Sequence, residues 1–290
     1  MPAHDLSREL FGRRFQNPIL LAAGTAGFGQ ELDGIIDLDR LGGLVTKAVS
    51  VEPRQGNGAP RVAEFPGGML NSVGLANPGV ARVRDAYLPW LAQRKSRAQI
   101  LVNVVGFTIE EYGEVVGLLD TSPGIAGFEL NLSCPNTSAG GIEFGADAGC
   151  VRRIISGCRS RTRQPLIAKL SPVLPDIAGM ALVARDAGAD GISAVNTMPG
   201  LLFEAAGALR LGNGNGGVSG PGLLPIGVLA VARIVERTGM PVIGVGGIRS
   251  AADVRQYLKA GASLVALGTG ALADPRLPER IVRQLVRGDG

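Results

Sequence analysis

The sequence contains one histidine and three cysteines among its 290 residues, and this shortage narrows the chemistry that the chain can support. His4 stands near the N-terminus, so a histidine-based triad or metal site is excluded within one chain. Cys134, Cys150 and Cys158 cannot form a closed disulfide framework, and their spacing suits neither zinc nor an iron–sulfur cluster. Aromatic residues make up only 4% of the chain, so the core must be mainly aliphatic.

The chain also lacks a long apolar run and a strong excess of either charge. No stretch reaches the ~20 apolar residues that a transmembrane helix needs, and the N-terminus does not resemble a signal peptide. We therefore expect a cytoplasmic protein without a membrane partner. The net charge is +4, and the densest basic cluster, Arg152 to Arg163, has no interleaved aromatic residues. It predicts a solvated helix face, with a surface for an acidic partner as the alternative, and no nucleic acid is expected as a partner.

Apolar runs alternate with segments of helical period along the chain, beginning with the run from Pro18 to Ala23. Continuous apolar runs are typical of parallel strands that are covered on both faces. Eight strands alternating with eight helices predict an α/β fold, a (β/α)₈ TIM barrel, in which residues 1–290 form a single domain. A doubly wound open sheet is the alternative, but no glycine fingerprint for a dinucleotide follows the first strand.

Four further features are expected around this barrel. Residues 1–17 predict an N-terminal hairpin that closes one end of the fold. Residues 51–78, rich in proline and glycine, predict an ordered insertion after the second strand. A weak helix is expected from Glu31 to Arg40, and a glycine-rich loop is expected after the sixth strand, as far as Gly217.

Polar side chains stand where several of the predicted strands end, and the catalytic groups of such a barrel lie at those ends. Each of them needs a polar partner if water is excluded from the mouth of the barrel. A thiol that lies beyond the end of the fourth strand is a candidate base once it has lost its proton. These residues are Lys47, Asn103, Asn131 followed by Cys134, Lys169, and Asn196 with Thr197.

The last two predicted strands end instead in glycines, as Gly246-Gly247 and Gly268-Thr269. Backbone N–H groups without side chains in the way can face an anion, and the loops after strands 7 and 8 are the recurrent phosphate site of this fold. This pattern predicts a phosphorylated organic cofactor. FMN is preferred, while pyridoxal phosphate stays open because Lys47 or Lys169 could form a Schiff base.

The motifs of the chain, taken in order, resemble those of the class 1B dihydroorotate dehydrogenases, and specifically of their FMN-containing catalytic subunit. The resemblance runs from about residue 17 to residue 269. The glycine-rich sequence after the cysteine resembles class 1B more than the fumarate-using class 1A. The motifs are NPILLAAGTAGFG (17–29), KAVSVEPRQGN (47–57), NSVGLANPG (71–79), NVVG (103–106), ELNLSCPN (129–136), GGIEFG (140–145), AKLSP (168–172), NT (196–197), GGVSGP (216–221), GGI (246–248) and GT (268–269).

The resemblance implies a TIM barrel holding one FMN per chain and oxidising dihydroorotate to orotate in pyrimidine synthesis. Cys134 matches the catalytic base. The positions that match substrate contacts are Lys47, Asn71, Ser72, Val73, Gly74, Leu75, Asn131, Asn196 and Thr197. The positions that match FMN contacts are Ala23, Lys47, Ala48, Asn103, Asn131, Lys169, Val195, Gly220, Gly246, Gly247, Gly268 and Thr269. Ala23 departs from the family, because many members carry serine there, and a side-chain hydrogen bond to the flavin would be lost.

The resemblance also implies partners. Class 1B members pass electrons to NAD through a second subunit that carries FAD and a [2Fe–2S] cluster, and this chain has no cysteine cluster to hold such a centre itself. We expect a homodimer of catalytic subunits within a heterotetramer. Residues 136–145, with Gly140-Gly141 as a hinge, are expected to form a lid. A related FMN enzyme acting on another pyrimidine, a fumarate-linked class 1A enzyme and a non-catalytic flavoprotein are the alternatives.

Overall fold

The computed structural model describes residues 5–133, 135–136 and 142–288 of the chain. Within these residues, eight parallel strands close into a barrel. The strands follow one another around the barrel in chain order, and helices cover the outside. This is the predicted (β/α)₈ TIM barrel, and the N-terminal antiparallel hairpin is also present. None of the described helices is both long enough and apolar enough to span a membrane.

The described residues include sixteen strands, of which β3, β4, β7, β8, β11, β12, β15 and β16 form the barrel. The strands are β1 (Arg8–Leu10), β2 (Arg13–Phe15), β3 (Ile19–Leu21), β4 (Gly43–Val45), β5 (Val62–Phe65), β6 (Gly68–Asn71), β7 (Gln99–Val104), β8 (Ile125–Asn131), β9 (Pro135–Asn136), β10 (Ile142–Glu143), β11 (Leu166–Leu170), β12 (Gly191–Ala194), β13 (Met198–Leu201), β14 (Asn215–Ser219), β15 (Val242–Val245) and β16 (Leu264–Leu267).

The α-helices lie between the barrel strands and after the last one. They are α1 (Val80–Arg82), α2 (Leu88–Gln93), α3 (Ile109–Leu119), α4 (Ala148–Arg159), α5 (Ile177–Asp186), α6 (Leu223–Thr238), α7 (Ala251–Lys259), α8 (Thr269–Ala273) and α9 (Leu277–Arg287). A π-helical segment, Val83–Tyr87, joins α1 to α2, so the helical stretch from Val80 to Gln93 is continuous but not wholly α-helical.

Side-chain caps fix where several of these helices begin. The side chains of Thr108, Asp147, Asp176 and Ser250 each accept a hydrogen bond from a backbone N–H of the first turn of α3, α4, α5 and α7. These bonds satisfy N–H groups that have no partner within the helix. Helix α6 ends at Gly239 in the left-handed conformation, which glycine adopts at little cost. Because a helix starts after each βα loop, the caps also fix the loops at the barrel mouth.

The interior of the barrel changes character along its length. Its lower part is a cluster of aliphatic side chains, including Leu101, Ile167 and Ile243. Phe15 from the hairpin joins this cluster and is fully buried, so the hairpin closes the amino-terminal end of the barrel. The carboxyl-terminal end of the interior is instead lined by buried polar residues on four neighbouring strands, which are described below.

The insertion after the second barrel strand is ordered, as predicted, but it extends further than the sequence indicated. Strands β5 and β6 join β13 and β14 in an antiparallel sheet with the order β13-β14-β6-β5. The segment expected to be a glycine-rich loop before Gly217 therefore contains two strands. The prediction missed them because Gly200, Gly216 and Gly217 have no side chains from which alternation could be recognised.

The helix predicted from Glu31 to Arg40 is wrong. The structure has two short 3₁₀ turns, Gln30–Leu32 and Leu38–Arg40, separated by an irregular segment. Gly29 and Gly34 adopt left-handed backbone angles, with φ of 90° and 75°, which an α-helix cannot contain. The first βα unit of the barrel thus has turns in place of its helix.

Candidate active site

The residues predicted for the site lie at the carboxyl-terminal ends of barrel strands or on the antiparallel sheet beside them. Lys47 and Ala48 follow β4, Asn103 lies near the end of β7, and Asn131 ends β8. Because parallel strands of a barrel all end at the same rim, these side chains share one mouth. The remaining positions are Ala23 after β3, Lys169 in β11, Val195 to Thr197 after β12, Gly220 after β14, Gly246-Gly247 after β15 and Gly268-Thr269 after β16.

The floor of this mouth is an arc of buried polar side chains on β7, β8, β11 and β12. Asn103 is paired with Glu129 across β7 and β8, and Lys169 is paired with Ser193 across β11 and β12. All four residues are at least nine-tenths buried. The facing strands β15, β16 and β3 place apolar side chains such as Val245 in the barrel interior. One half of the floor is therefore polar and the other is apolar.

Glu129 is the centre of the polar arc. Its Oε1 accepts a hydrogen bond of 2.7 Å from Asn103 Nδ2 and lies 3.4 Å from Lys169 Nζ. The carboxylate is 1% exposed and the lysine 6%, so this is a buried ion pair. Desolvating two charges is costly, and such a pair is weak evidence of stabilisation by itself. Its position at the site instead indicates a functional role.

Two buried polar atoms of the arc have no hydrogen-bond partner among the described residues, Asn103 Oδ1 and Ser193 Oγ. Buried polar groups in folded proteins are almost always paired, so an unpaired one at a barrel mouth indicates a bound ligand. Asn103 Oδ1 is an acceptor, and it therefore requires an N–H or O–H donor. A heterocycle that carries N–H groups meets this requirement.

Asn131 stands above the arc and is held from several sides. Its Oδ1 accepts hydrogen bonds from Asn196 Nδ2 at 3.3 Å and from the backbone N–H of Ser133 at 3.4 Å. The hydroxyl of Tyr112, on helix α3, donates to its backbone carbonyl at 2.7 Å. The structure thus brings together two of the predicted substrate-binding amides, Asn131 and Asn196.

The predicted substrate segment, residues 71–75, leaves the antiparallel sheet at the end of β6. Asn71 Nδ2 donates to the carbonyl of Gly217 at 3.1 Å, which joins the segment to β14. Asn57 Nδ2 donates to the hydroxyl and the carbonyl of Ser72, and the backbone N–H of Asn57 donates to the carbonyl of Val73. A side chain at Gly74 would collide with Asn57, so this close approach requires glycine.

Asn77 anchors the far end of the same segment. The side chain is buried, and it forms four hydrogen bonds, to both backbone and hydroxyl of Ser50, to the N–H of Gly79 and to the carbonyl of Leu75. Leu75 has a φ of 57°, an uncommon conformation for leucine that the bond from Asn77 helps to hold. The segment is therefore fixed at both of its ends.

Lys47 has a fixed backbone and an available charge. Its N–H donates to the carbonyl of Gly27 at 2.7 Å, which places the residue at the end of β4. The side chain is half-buried, and no carboxylate among the described residues lies within ion-pair distance of the ammonium. A half-buried cation without an internal counter-ion is suited to binding an anionic group of a ligand.

The glycines after β15 form a bare stretch of backbone. Gly246 and Gly247 have φ of 124° and 75°, and a side chain at Gly247 would collide with the backbone of Leu224. Their N–H groups donate to none of the described residues. The hydroxyl of Tyr257 donates to the carbonyls of Val245 and Gly246, and burial raises the pKa of Tyr257, so the residue stays neutral.

A hydroxyl pair connects the other two glycine positions. Thr269 Oγ1 donates to Ser219 Oγ at 2.7 Å, and Ser219 donates to the carbonyl of Met69 at 3.3 Å. Ser219 directly precedes Gly220, which has a φ of 134°, and Thr269 directly follows Gly268. The predicted residue Thr269 is thus connected through Ser219 to β14 and β6.

The predicted base, Cys134, lies outside the described residues, and so does the predicted hinge, Gly140-Gly141. On either side of these positions, Leu132 and Phe144 are buried, and the N–H of Gly145 donates to the carbonyl of Leu132 at 2.8 Å. Tyr112 and Phe144 make an edge-to-face contact at 6.0 Å.

The sequence analysis missed Glu129, Ser193, Ser219 and Asn77 as parts of the site. A signal existed for Glu129, because it is two residues before Asn131 in a strand and therefore faces the same side. Ser193 is likewise two residues before a predicted site residue, Val195. Ser219 and Asn77 contribute through hydrogen bonds between distant segments, and spacing along the chain does not reveal these bonds.

Comparisons with known proteins agree with this geometry. The family model described as dihydroorotate dehydrogenase matches residues 5–287. Three relatives are each named dihydroorotate dehydrogenase B (NAD(+)), catalytic subunit. The one from Pelobacter propionicus is 41% identical over 98% of this chain and 93% of its own length. Those from Desulforudis audaxviator and Geobacillus kaustophilus are 45% and 42% identical, over 91% and 97% of this chain and 86% and 89% of theirs. The chain belongs to the dihydroorotate dehydrogenase family.

Proposed function

We propose that this chain oxidises (S)-dihydroorotate to orotate in pyrimidine biosynthesis and passes the electrons to NAD through a partner subunit. The observation that carries the proposal is the combination of Lys47, a cation with no carboxylate partner among the described residues, with the amides of Asn131 and Asn196 at one barrel mouth. Dihydroorotate has one carboxylate and two ring amides, and these groups match that set of side chains. The relatives are named as NAD-linked catalytic subunits, which supports the same assignment.

The family is flavin-dependent, and we infer that FMN is the flavin of this chain. Three observations fit FMN. Gly246 and Gly247 offer backbone N–H groups to a phosphate. Among the described residues Asn103 Oδ1 has no donor, and a flavin ring can supply one. Lys169, which shares Glu129 with Asn103, adds a cation on the same arc. FMN, when bound, supplies the acceptor for the hydride that leaves the substrate.

Four side chains then have separate roles in the proposed reaction. Lys47 binds the substrate carboxylate, and Asn131 and Asn196 orient the ring through its amides. Cys134 takes a proton from the ring carbon next to the one that loses the hydride. The free thiol of cysteine has a pKa of about 8.5, so its environment must favour the thiolate for work at neutral pH. A base positioned in this way is worth about 10² to 10⁴ in rate.

The partner assignment follows from the same family. A catalytic subunit implies a separate subunit, and we propose that this subunit carries FAD and a [2Fe–2S] cluster. The described residues include no group of three or more metal-binding side chains that could hold such a cluster. We propose a homodimer of this chain at the centre of a heterotetramer. Co-expression with the partner followed by size-exclusion chromatography tests it, and NAD reduction at full rate by this chain alone would contradict it.

Substitution of Cys134 tests the assignment of the base. We expect Cys134→Ser to retain FMN but to slow flavin reduction by dihydroorotate at least 10²-fold, because serine is a far weaker base at neutral pH. The measurement is anaerobic stopped-flow bleaching of the flavin absorbance. Cys158→Ser is the matched control, because Cys158 is fully buried in the last turn of α4, at the opposite end of the helix from its Asp147 cap, and its rate should equal that of the wild type.

The same assay separates dihydroorotate from related substrates. Lys47→Met should raise the substrate concentration for half-maximal reduction at least tenfold, since the carboxylate loses its counter-ion. Bleaching by dihydrouracil, which has no carboxylate, should be slow in both proteins. If dihydrouracil bleached the wild-type flavin faster than dihydroorotate did, the chain would act on another pyrimidine and the proposed substrate would be wrong.

A further inference from the structure

We propose that Glu129 is a positioning residue that sets both the orientation of Asn103 and the charge beside the flavin. The proposal rests on the proposed function, since it takes the ligand at the barrel mouth to be a flavin. The substrate-binding and base roles do not use Glu129, although it is the most deeply buried carboxylate at the mouth.

The first step concerns the amide of Asn103. The side chain could stand with either its oxygen or its nitrogen toward Glu129. A carboxylate repels an amide oxygen and accepts from an amide nitrogen, so the ionised Glu129 selects the second arrangement, with Nδ2 at 2.7 Å. The backbone N–H of Asn103 is also fixed, by the hydroxyl of Thr46 at 3.2 Å. The remaining atom, Oδ1, is therefore held as an acceptor for the ligand.

The second step concerns the charge of Lys169. Its ammonium lies 3.4 Å from the same oxygen of Glu129, and both side chains are removed from water. The pair is neutral as a whole, so the field of the lysine at the mouth is reduced by its counter-ion. Without the carboxylate, the full positive charge would act on a flavin, and it would favour the reduced form, which gains negative charge.

One carboxylate oxygen thus acts on two ligand-facing groups at once. The hydrogen bond fixes which atom of Asn103 the ligand meets, and the ion pair limits how strongly Lys169 attracts electrons into the flavin. A limited attraction suits a subunit that must release its electrons to a partner, because a flavin that is too easily reduced holds them. Glu129 would in this way adjust the flavin for onward transfer.

Glu129→Gln tests the proposal, because it preserves shape and removes the charge. We expect the two-electron reduction equilibrium of the bound flavin to move about tenfold toward the reduced form, which is about 30 mV in midpoint potential. We also expect FMN to bind about tenfold more weakly, since a glutamine amide no longer dictates the orientation of Asn103. The potential is measured by anaerobic reductive titration against a reference dye, and FMN affinity by fluorescence titration of the apoprotein.

Glu279→Gln is the matched control. Glu279 is also largely buried and accepts a backbone hydrogen bond, from the N–H of Asp37 at 2.8 Å, but it lies on helix α9 outside the barrel. Its potential should equal that of the wild type. Glu129→Asp is the second variant, should glutamine prevent folding. It keeps the charge but withdraws it by one methylene, so FMN affinity should fall while the potential moves less than in the glutamine variant.

The outcomes separate this proposal from the proposed function. An unchanged potential in both Glu129 variants, with FMN bound normally, would show that the carboxylate has only a structural role, and the proposal would be overturned. A flavin that binds and titrates as expected but is not reduced by dihydroorotate would overturn the proposed substrate and still support the role of Glu129. A wild-type chain that takes up no flavin would overturn both.

Discussion

Asn77 gives a direct test of how residues 71–75, the proposed substrate segment, are held in place. Asn77→Ala removes four hydrogen bonds, with distances of 3.3 and 2.9 Å at Oδ1 and 2.8 Å for both bonds at Nδ2. Their partners belong to Ser50, Gly79 and Leu75, and Leu75 is the last residue of the segment. The N–H groups of Ser50 and Gly79 would lose their only acceptor among the described residues.

The expected cost follows from the number of these bonds. A typical hydrogen bond contributes a net 0.5 to 1.5 kcal/mol, roughly, so four of them amount to about 2 to 6 kcal/mol. We expect the lower end, about 2 kcal/mol in the free energy of unfolding, because water can enter the opened segment and satisfy part of the lost bonds. The substrate KM should rise about tenfold, since residues 71–75 no longer have a fixed conformation.

The assays are urea denaturation followed by circular dichroism and steady-state kinetics with dihydroorotate. Asn213→Ala is the matched control, because Asn213 is exposed and its side chain forms no hydrogen bond to a described residue. It should change the free energy of unfolding by less than about 0.5 kcal/mol. If Asn77→Ala gave the same unfolding midpoint and KM as this control, the segment would be held by other contacts and the reasoning would fail.

Two further predictions concern the barrel itself. Phe15→Ala should lower the free energy of unfolding by about 3 to 5 kcal/mol in the same denaturation assay, because it leaves a cavity where the fully buried ring closes the end of the barrel. Phe203→Ala is the control: its ring is 60% exposed, so the free energy of unfolding should change by less than about 0.5 kcal/mol. Burial raises the pKa of the Cys158 thiol to about 12. The unfolded chain therefore loses this proton first as pH rises, so the stability of the wild type should fall by about 2 kcal/mol more than that of Cys158→Ala between pH 9 and pH 11, and equal losses would contradict the assignment.

The fold could be predicted from the sequence because its information is local. The barrel strands are mostly apolar and buried, and helices such as α3 and α6 begin or end at residues with clear capping chemistry, Thr108 and Gly239. The predictions of secondary structure were wrong in two glycine-containing regions, where the side-chain pattern does not determine the backbone conformation. Residues 31–40 have helical composition, but Gly29 and Gly34 impose left-handed backbone angles. Strands β13 and β14 are held by pairing with β6, which local propensity does not contain.

Of the candidate site, only the polar residues at the ends of apolar runs could be predicted from the sequence. Lys47, Asn131 and Lys169 were identified because they follow or end apolar runs. Glu129 was not, because its importance depends on two partners, Asn103 and Lys169, from strands that are 26 and 40 residues away. The sequence shows that these residues are polar, but only the closed barrel shows that they share one oxygen atom.

Strand β14 has a consequence for the thermodynamics of ligand binding. Its Gly217 receives the side chain of Asn71, on the substrate side, and its Ser219 receives the hydroxyl of Thr269, on the cofactor side. A ligand that orders one end of this short strand therefore changes the free energy needed to order the other end. Linkage makes such an effect reciprocal, so whatever factor orotate contributes to FMN affinity, FMN contributes to orotate affinity.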